Sequence, residues 1–352
     1  MVSGVRWCMW VERAVKTMVA VLVAVLVLAG PAGHAQDAER AFFTAKTVRL
    51  VVGYGPGGGY DAYARMIAPH LGKALGASVV VENQPGAGGL VALNRLATTP
   101  ADGLTIMIVN GTGSALSQLT EQPGVRFDLG QFGYLGTVSA SPWMWLVGPA
   151  SPIKTPRDAI KLGKKINWAA GGPADGLSDG AAFTCEALAL DCHVVLGYAG
   201  SNQAALAVTQ GEMDAIYVSD TSASNYAASG QQRAVAAMGK TRSRFFPDAP
   251  TIFEALELSA DQQWLFDFRA KLEDLGRILL VPPNMSATRL GYMQGAVKAT
   301  LTSPDLIAEG EKTQRYINYL DAPATFRNAQ DVVKNITPEQ RKRVQDILTK
   351  AR

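Results

Sequence analysis

From Thr47 onward, short β-branched runs alternate with longer amphipathic ones, and glycine-rich loops punctuate them. This is the rhythm of βαβ units, which close into parallel sheets with helices on their faces. The runs 48–52, 78–81 and 104–109 read as three parallel strands, with helices over 61–75 and 89–97 between them. Ala64, Ile67, Ala68, Leu71 and Leu75 share one face of the first helix. Pro69 does not suit that helix, because its ring clashes with the carbonyl of Arg65, and a kink or break is expected there. After an apolar stretch at 134–147 the rhythm restarts, with strands at 166–169, 194–196, 215–218 and 233–238 and helices at 179–190, 202–210 and 222–228.

The segment from Phe245 onward is mostly helical, with one apolar run at 278–281 ended by Pro282 and Pro283. Its last helix opens on Thr337-Pro338-Glu339-Gln340, which supplies an N-cap, a first-turn proline and a capping-box glutamine. The expected fold class is therefore α/β and bilobal. Lobe I comprises 36–140 plus 240–352, because the helical tail returns to the first module. Lobe II comprises 141–239, and a cleft separates the two.

The N-terminus reads as a leader rather than as part of this fold. Arg6, Arg13 and Lys16 precede an apolar run at 18–29, and Gly30, Pro31 and further small residues follow it. A secretory signal peptide over 1–35, cleaved near Gln36, is expected. The run is too short to cross a bilayer, so the mature chain is expected in the periplasm. No cysteine follows the small residues to take a lipid.

The whole chain carries 33 Lys and Arg against 30 Asp and Glu. The leader removes three basic residues and one acidic, leaving 30 against 29, which excludes a nucleic-acid partner. Cys8 leaves with the leader, and the remaining pair, Cys185 and Cys192, reads as a disulfide in an oxidising compartment or as two buried thiols. His70 and His193 lack ligand partners at metal-binding spacing. There is no G-x-S-x-G elbow and no carboxylate pair in a convincing loop, so neither an enzyme nor a cofactor is expected.

The chemistry of the chain lies in its loops. Residues 53–61, Gly-Tyr-Gly-Pro-Gly-Gly-Gly-Tyr-Asp, join the first strand to the first helix, where backbone amides at a helix N-terminus favour an anion. Gly53 to Gly58 also matches G-x-G-x-x-G, with Glu82 ending the next strand as a dinucleotide site requires. Pro56 and three consecutive glycines make a poor start for that fingerprint's helix, and the dinucleotide-binding enzyme is the weaker reading. Loops 82–89 and 110–114 open at the same sheet edge, and 171–179, 198–202 and 219–222 take the corresponding places in the second module.

The stretches VRLVVGYGPGGGYDAYARMIAPHL, VVVENQPGAGG, ADGLTIMIVNGTGS, GYAGSNQAAL and GEMDAIYVSDTSA resemble the tripartite tricarboxylate transporter receptors, the Bug-type periplasmic binding proteins. The resemblance runs through nearly all of the mature chain. It implies a Venus-flytrap clamp that holds a small carboxylate through amides, hydroxyls and water, with no arginine needed at the carboxylate. It implies first-lobe contacts from Tyr54, Gly58, Gly59, Tyr60, Asp61, Asn83 and Thr112. The second-lobe contacts would be Gly172, Asp175, Gly176, Ser178, Tyr198, Ser201 and Ser222.

Two positions depart from the family pattern. Tyr60 stands where many members carry Thr or Ser, and the loop around Asp175 and Asp179 is more acidic than usual. One of these aspartates is read as a receiver for a ligand ammonium or hydroxyl, or Asp179 as a helix N-cap. The implied partners are integral membrane transporter subunits, with the chain acting as a monomer; the same fold and pocket also suit a ligand-presenting sensor for a receptor kinase. Under non-reducing conditions, mass spectrometry of the exported protein should show two hydrogens fewer than two free thiols at Cys185 and Cys192 require; two freely alkylated cysteines would refute the pairing.

Overall fold

The computed structural model describes residues 30–172, 175–228 and 230–350. The expected leader lies, as far as residue 29, outside the described residues, and a helix Gly30–Phe43 spans the cleavage point expected at Gln36.

Ten strands follow: β1 (Thr47–Val52), β2 (Ser78–Asn83), β3 (Thr105–Asn110), β4 (Gly133–Ser139), β5 (Trp143–Val147), β6 (Ile166–Ala169), β7 (Cys192–Val195), β8 (Ala215–Ser219), β9 (Arg233–Ala237) and β10 (Arg277–Val281). They form two five-stranded sheets, ordered β2-β1-β3-β10-β4 and β7-β6-β8-β5-β9. β1 pairs in parallel with β2 and β3, and β6 with β7 and β8. β10 runs against β3 and β4, and β5 against β8 and β9. Strands near the middle of each sheet, such as TIMIVN, WMWLV and RILLV, are buried along their whole length, as the continuous apolar runs require.

The two sheets share one topology, and the chain crosses between them twice in building their strands. The apolar stretch 134–147 is two strands in different sheets, β4 and β5, joined by residues 140–142. The return runs from β9 through 238–276 to β10, which inserts between β3 and β4.

Three packing results bear on the expectations. The helix Gly59–Leu75 runs unbroken through Pro69. A helix-interior proline costs about 3 kcal/mol, whereas Tyr63, Ile67, Leu71 and Leu75 are each at most 1% exposed and each buried apolar side chain contributes about 1.5–3 kcal/mol. Burial wins. The C-terminal helices do not all return to the first sheet. Met293, Val297 and Leu301 join its core, but Leu265, Phe266 and Leu272 of Ala260–Glu273 and Val344, Ile347 and Leu348 of Pro338–Lys350 join the core around Trp145, Trp168 and Phe183 in the second. Finally, Cys185, near the end of Gly176–Ala187, and Cys192, at the start of the edge strand β7, form a disulfide with their Cα atoms 6.1 Å apart, within the ordinary range.

Ala260–Glu273 is fixed to the second sheet by buried charge. Arg269 Nη2 lies 2.9 Å from Asp179, and Arg269 Nη1 lies 3.6 Å from Glu273. The Tyr217 hydroxyl donates to Glu273 Oε1 at 2.8 Å. One guanidinium serves two carboxylates, and burial raises the Glu273 carboxyl to about 8 despite the opposing pull of Arg269. Because the folded state holds this proton more tightly than the unfolded chain, the associated stability is complete below the ordinary glutamate range and is lost as pH rises through about 8. Glu273→Gln keeps an acceptor for Tyr217 and should remove that loss. In urea unfolding between pH 5 and 9, the parent should weaken relative to the variant; parallel pH profiles would show that Glu273 is ionised throughout.

Candidate functional site

In each sheet, the loops that follow the parallel strands open at one edge, and the two edges face each other. Gly55 N donates to the Ala199 carbonyl at 2.7 Å, and Asn202 Nδ2 to the Pro56 carbonyl at 3.3 Å, so the two modules are in contact. Between them lies a small cavity of about 20 Å³, little more than one water requires. An organic acid enters only if the lobes part.

Seven of the residues read from sequence line this cavity: Tyr54, Gly58, Gly59, Tyr60, Asp175, Ser201 and Ser222. Four more line it that sequence reading missed: Trp143, Leu177, Val218 and Arg277. Arg277 and Trp143 arrive by the same route. Each is the first residue of an antiparallel strand, paired with Asn110 or Ser219 at the end of a parallel neighbour. A strand that runs backwards begins where the others end, which places its first side chain at the cleft. Gly276, with φ at 52° and the Ser139 carbonyl where a Cβ would stand, lets the chain turn into β10 there. An arginine heading the otherwise apolar run RILLV was the available signal. The resemblance implied that no arginine was needed at the cleft, yet Arg277 is 4% exposed in its wall.

The other predicted residues shape the loops without lining the cavity. Asp61 accepts from Gly57 N, Arg65 Nε and Asn83 Nδ2, all at 2.9 Å. Burial raises its pKa, but these hydrogen bonds outweigh burial and leave it below the ordinary value. Asn83 also holds the Tyr54 carbonyl at 3.0 Å. Thr112 donates to the Leu272 carbonyl at 2.6 Å, and Ser178 to the carbonyls of Gly172 and Asp175. Gly176 lies under the Trp143 ring. Tyr198, which is partly buried, packs against the second core. Asp179 is not the cap of its helix. Asp175 caps Gly176–Ala187 by accepting from Leu177 N, while Asp179 pairs with Arg269.

Capping is incomplete at this edge, where Asp175 and Asn110 cap two helices but others start without a side-chain cap. Thr155, Thr251, Ser259, Ser286, Ser303 and Asp321 each cap a helix with their side chains. Three helices that begin at the cavity, Gly59–Leu75, Ser201–Gln210 and Asp220–Ala227, have no side-chain cap. Their first-turn amides lack intrahelical partners, and their dipoles favour negative charge. Around them, Tyr54 and Tyr60 stack with centroids 4.8 Å apart, and burial raises both phenols well above the usual range, so they stay neutral. Burial likewise raises Asp175, to about 6, against amide hydrogen bonds that pull it down.

Residues 63–350 match the tripartite tricarboxylate transporter family receptor. The chain belongs to that family. It is 31% identical over 234 residues to the UPF0065 protein of the gbd 5′ region in Cupriavidus necator, covering 64% of this chain and 69% of that one. It is 26% identical over 255 residues to BugT of Bordetella pertussis, covering 67% of this chain and 74% of that protein. Among solved structures, MatC of Rhodopseudomonas palustris with bound malate superposes with a TM-score of 0.72 at 22% identity, over 86% of this chain and 99% of that one. The periplasmic binding protein BugD does so with a TM-score of 0.72 at 22% identity, over 86% and 97%. These receptors have the bilobal periplasmic-binding-protein fold found here, and both family and fold are those of solute-binding proteins rather than enzymes.

At Gly172 closure leaves no room for a side chain. A Cβ on Gly172 would stand 2.5 Å from the Ala87 carbonyl carbon and the Gly88 nitrogen of the opposite lobe. Gly172→Val should leave circular dichroism and the cores unchanged but hold the lobes apart, so small-angle scattering should show a larger radius of gyration than in the parent. An unchanged radius would mean that the two lobes do not meet in solution as they do here.

Proposed function

We propose that this receptor captures a small carboxylate between its lobes outside the inner membrane and delivers it to the membrane subunits of a tripartite tricarboxylate-type transporter. The observation that carries this reading is the convergence of three uncapped helix starts on one cavity, beside a buried arginine. A carboxylate accepting from such amides gains charge-assisted hydrogen bonds of about 1.5–3 kcal/mol each. The first-turn amides beside Gly58 and Gly59 belong to one lobe and the hydroxyls of Ser201 and Ser222 to the other, so neither half desolvates the ligand alone. The malate bound to MatC and the adipate bound to another Rhodopseudomonas palustris relative of the same fold agree with this substrate class. The positively charged leader and the short apolar run agree with export.

Gly59 is a closely fitted position on the first-lobe side of the cavity. A Cβ there would lie 2.6 Å from Ser222 Oγ and 3.4 Å from Arg277 Nη2. In a thermal-shift panel of mono-, di- and tricarboxylates, aromatic acids and amino acids, at least one compound should stabilise the parent, by about 2.7 kcal/mol at a hundredfold excess over Kd. Gly59→Val should weaken that compound at least about tenfold in calorimetric titration while circular dichroism stays native. If nothing in the panel binds, or the variant binds as tightly as the parent, the cavity is not the carboxylate site.

A further inference from the structure

We infer that the ligand is a zwitterion, an amino acid with an uncharged side chain, whose carboxylate meets Arg277 and whose ammonium meets Asp175. This deepens the carboxylate-receptor reading and rests on it. Arg277 is buried, and its hydrogen bonds go to two hydroxyls, Ser139 Oγ at 3.2 Å and Ser219 Oγ at 2.8 Å. Among the described residues its Nε has no hydrogen-bond partner, and no carboxylate lies within ion-pair distance of its guanidinium. Asp220 is the carboxylate whose charge it influences, and that group is held by the Ser243 hydroxyl at 3.0 Å. The rings of Tyr60 and Tyr63 flank the guanidinium at 5.3 and 4.4 Å, and its Nη2 lies beside Gly59, where an uncapped helix begins. Two positive features therefore meet at one point in a low-dielectric site, where an unmatched charge is costly.

The same cavity holds a negative group. Asp175 is 3% exposed, and its two oxygens accept from Gly171 N at 2.7 Å and Leu177 N at 3.2 Å, leaving lone pairs on both. Among the described residues no cation pairs with it. Its raised pKa reflects that isolation: burial penalises the anion, and a ligand ammonium would relieve the penalty. A dicarboxylate would set its second charge against Asp175, and a simple monocarboxylate would leave Asp175 unmatched. The remaining side chains of the wall, Tyr54, Tyr60, Trp143, Leu177, Val218, Ser201 and Ser222, add no formal charge, which fits an uncharged remainder. The buried ionisable groups Arg269, Asp179 and Glu273 already meet one another behind the Trp143 ring, 5.4 Å from Arg269.

The test compares amino acids with their deaminated twins, alanine with propionate, valine with isovalerate and phenylalanine with 3-phenylpropionate, beside malate and adipate, by calorimetric titration of the mature chain at pH 7.5. The best amino acid should bind at least about tenfold more tightly than its twin and than either dicarboxylate. Asp175→Asn should bring the ratio of amino acid to twin close to one, whereas Arg277→Met should weaken both. Asp175→Ser, which keeps a helix cap, repeats the measurement if the asparagine variant folds poorly. If a deaminated acid or a dicarboxylate binds as well as any amino acid, or the ratio survives at Asp175→Asn and Asp175→Ser, the zwitterion inference is wrong while the carboxylate receptor stands. If no acid binds, the receptor reading fails and this inference with it.

Discussion

The cleft depends on one feature of the two sheets, the strand in each that runs against its neighbours. Parallel strands deliver their loops to one edge, but only a reversed strand can start there. β10 and β5 do so, one contributing Arg277 and the other Trp143. The cation and the aromatic wall thus come from strand direction rather than from loop sequence. Each of these strands also sits inside its sheet, paired on both sides, so its first side chain is held more firmly than a loop residue would be.

A second layer of order comes from what the helix starts lack. Where a helix begins away from the cleft, threonine, serine or aspartate satisfies its first amides, as Thr155 and Ser259 do with full capping boxes. Where Gly59–Leu75 or Ser201–Gln210 begins, the cap position is glycine, which brings no acceptor of its own. A glycine cap is weaker than a serine or aspartate cap by roughly a few tenths of a kcal/mol, and these helices forgo that contribution at the ligand edge. Burial of Tyr63, Ile67, Leu71 and Leu75 on the inner face of the first of them more than offsets the loss.

How much of this was legible in the sequence depended on the range of the interaction. The strand-loop-helix rhythm is local, and it located the parallel strands and the glycine loops. Side-chain roles that depend on a distant partner were not legible. Asp61 and Asn83 stand in a ligand loop but bond to each other and to Arg65, bracing the turn. Asp179 was read as a cap or a ligand contact because Arg269, its partner, lies far along the chain on a helix assigned elsewhere. The stretch 134–147 read as a single apolar unit because hydropathy does not mark the point, at 140–142, where the chain leaves one sheet for the other. At Pro69, where a kink or break was expected, the helix is unbroken for a similar reason: local clash was visible, and the burial that opposes it was not.

The position of β10 also bears on how the protein folds. All the strands of the second sheet lie consecutively between Trp143 and Ala237, so that sheet can assemble from one continuous segment. The first cannot. β4 reaches β3 only through β10, and the contact between Ser139 and Arg277 joins residues 138 positions apart. Contacts that close such long loops form late and slowly. The second sheet is therefore set to form first, although its core is completed only when Ala260–Glu273 and Pro338–Lys350 dock on it. The first sheet waits for a strand that arrives only after the strands of its neighbour, leaving the flank of β3 an open edge in the interval.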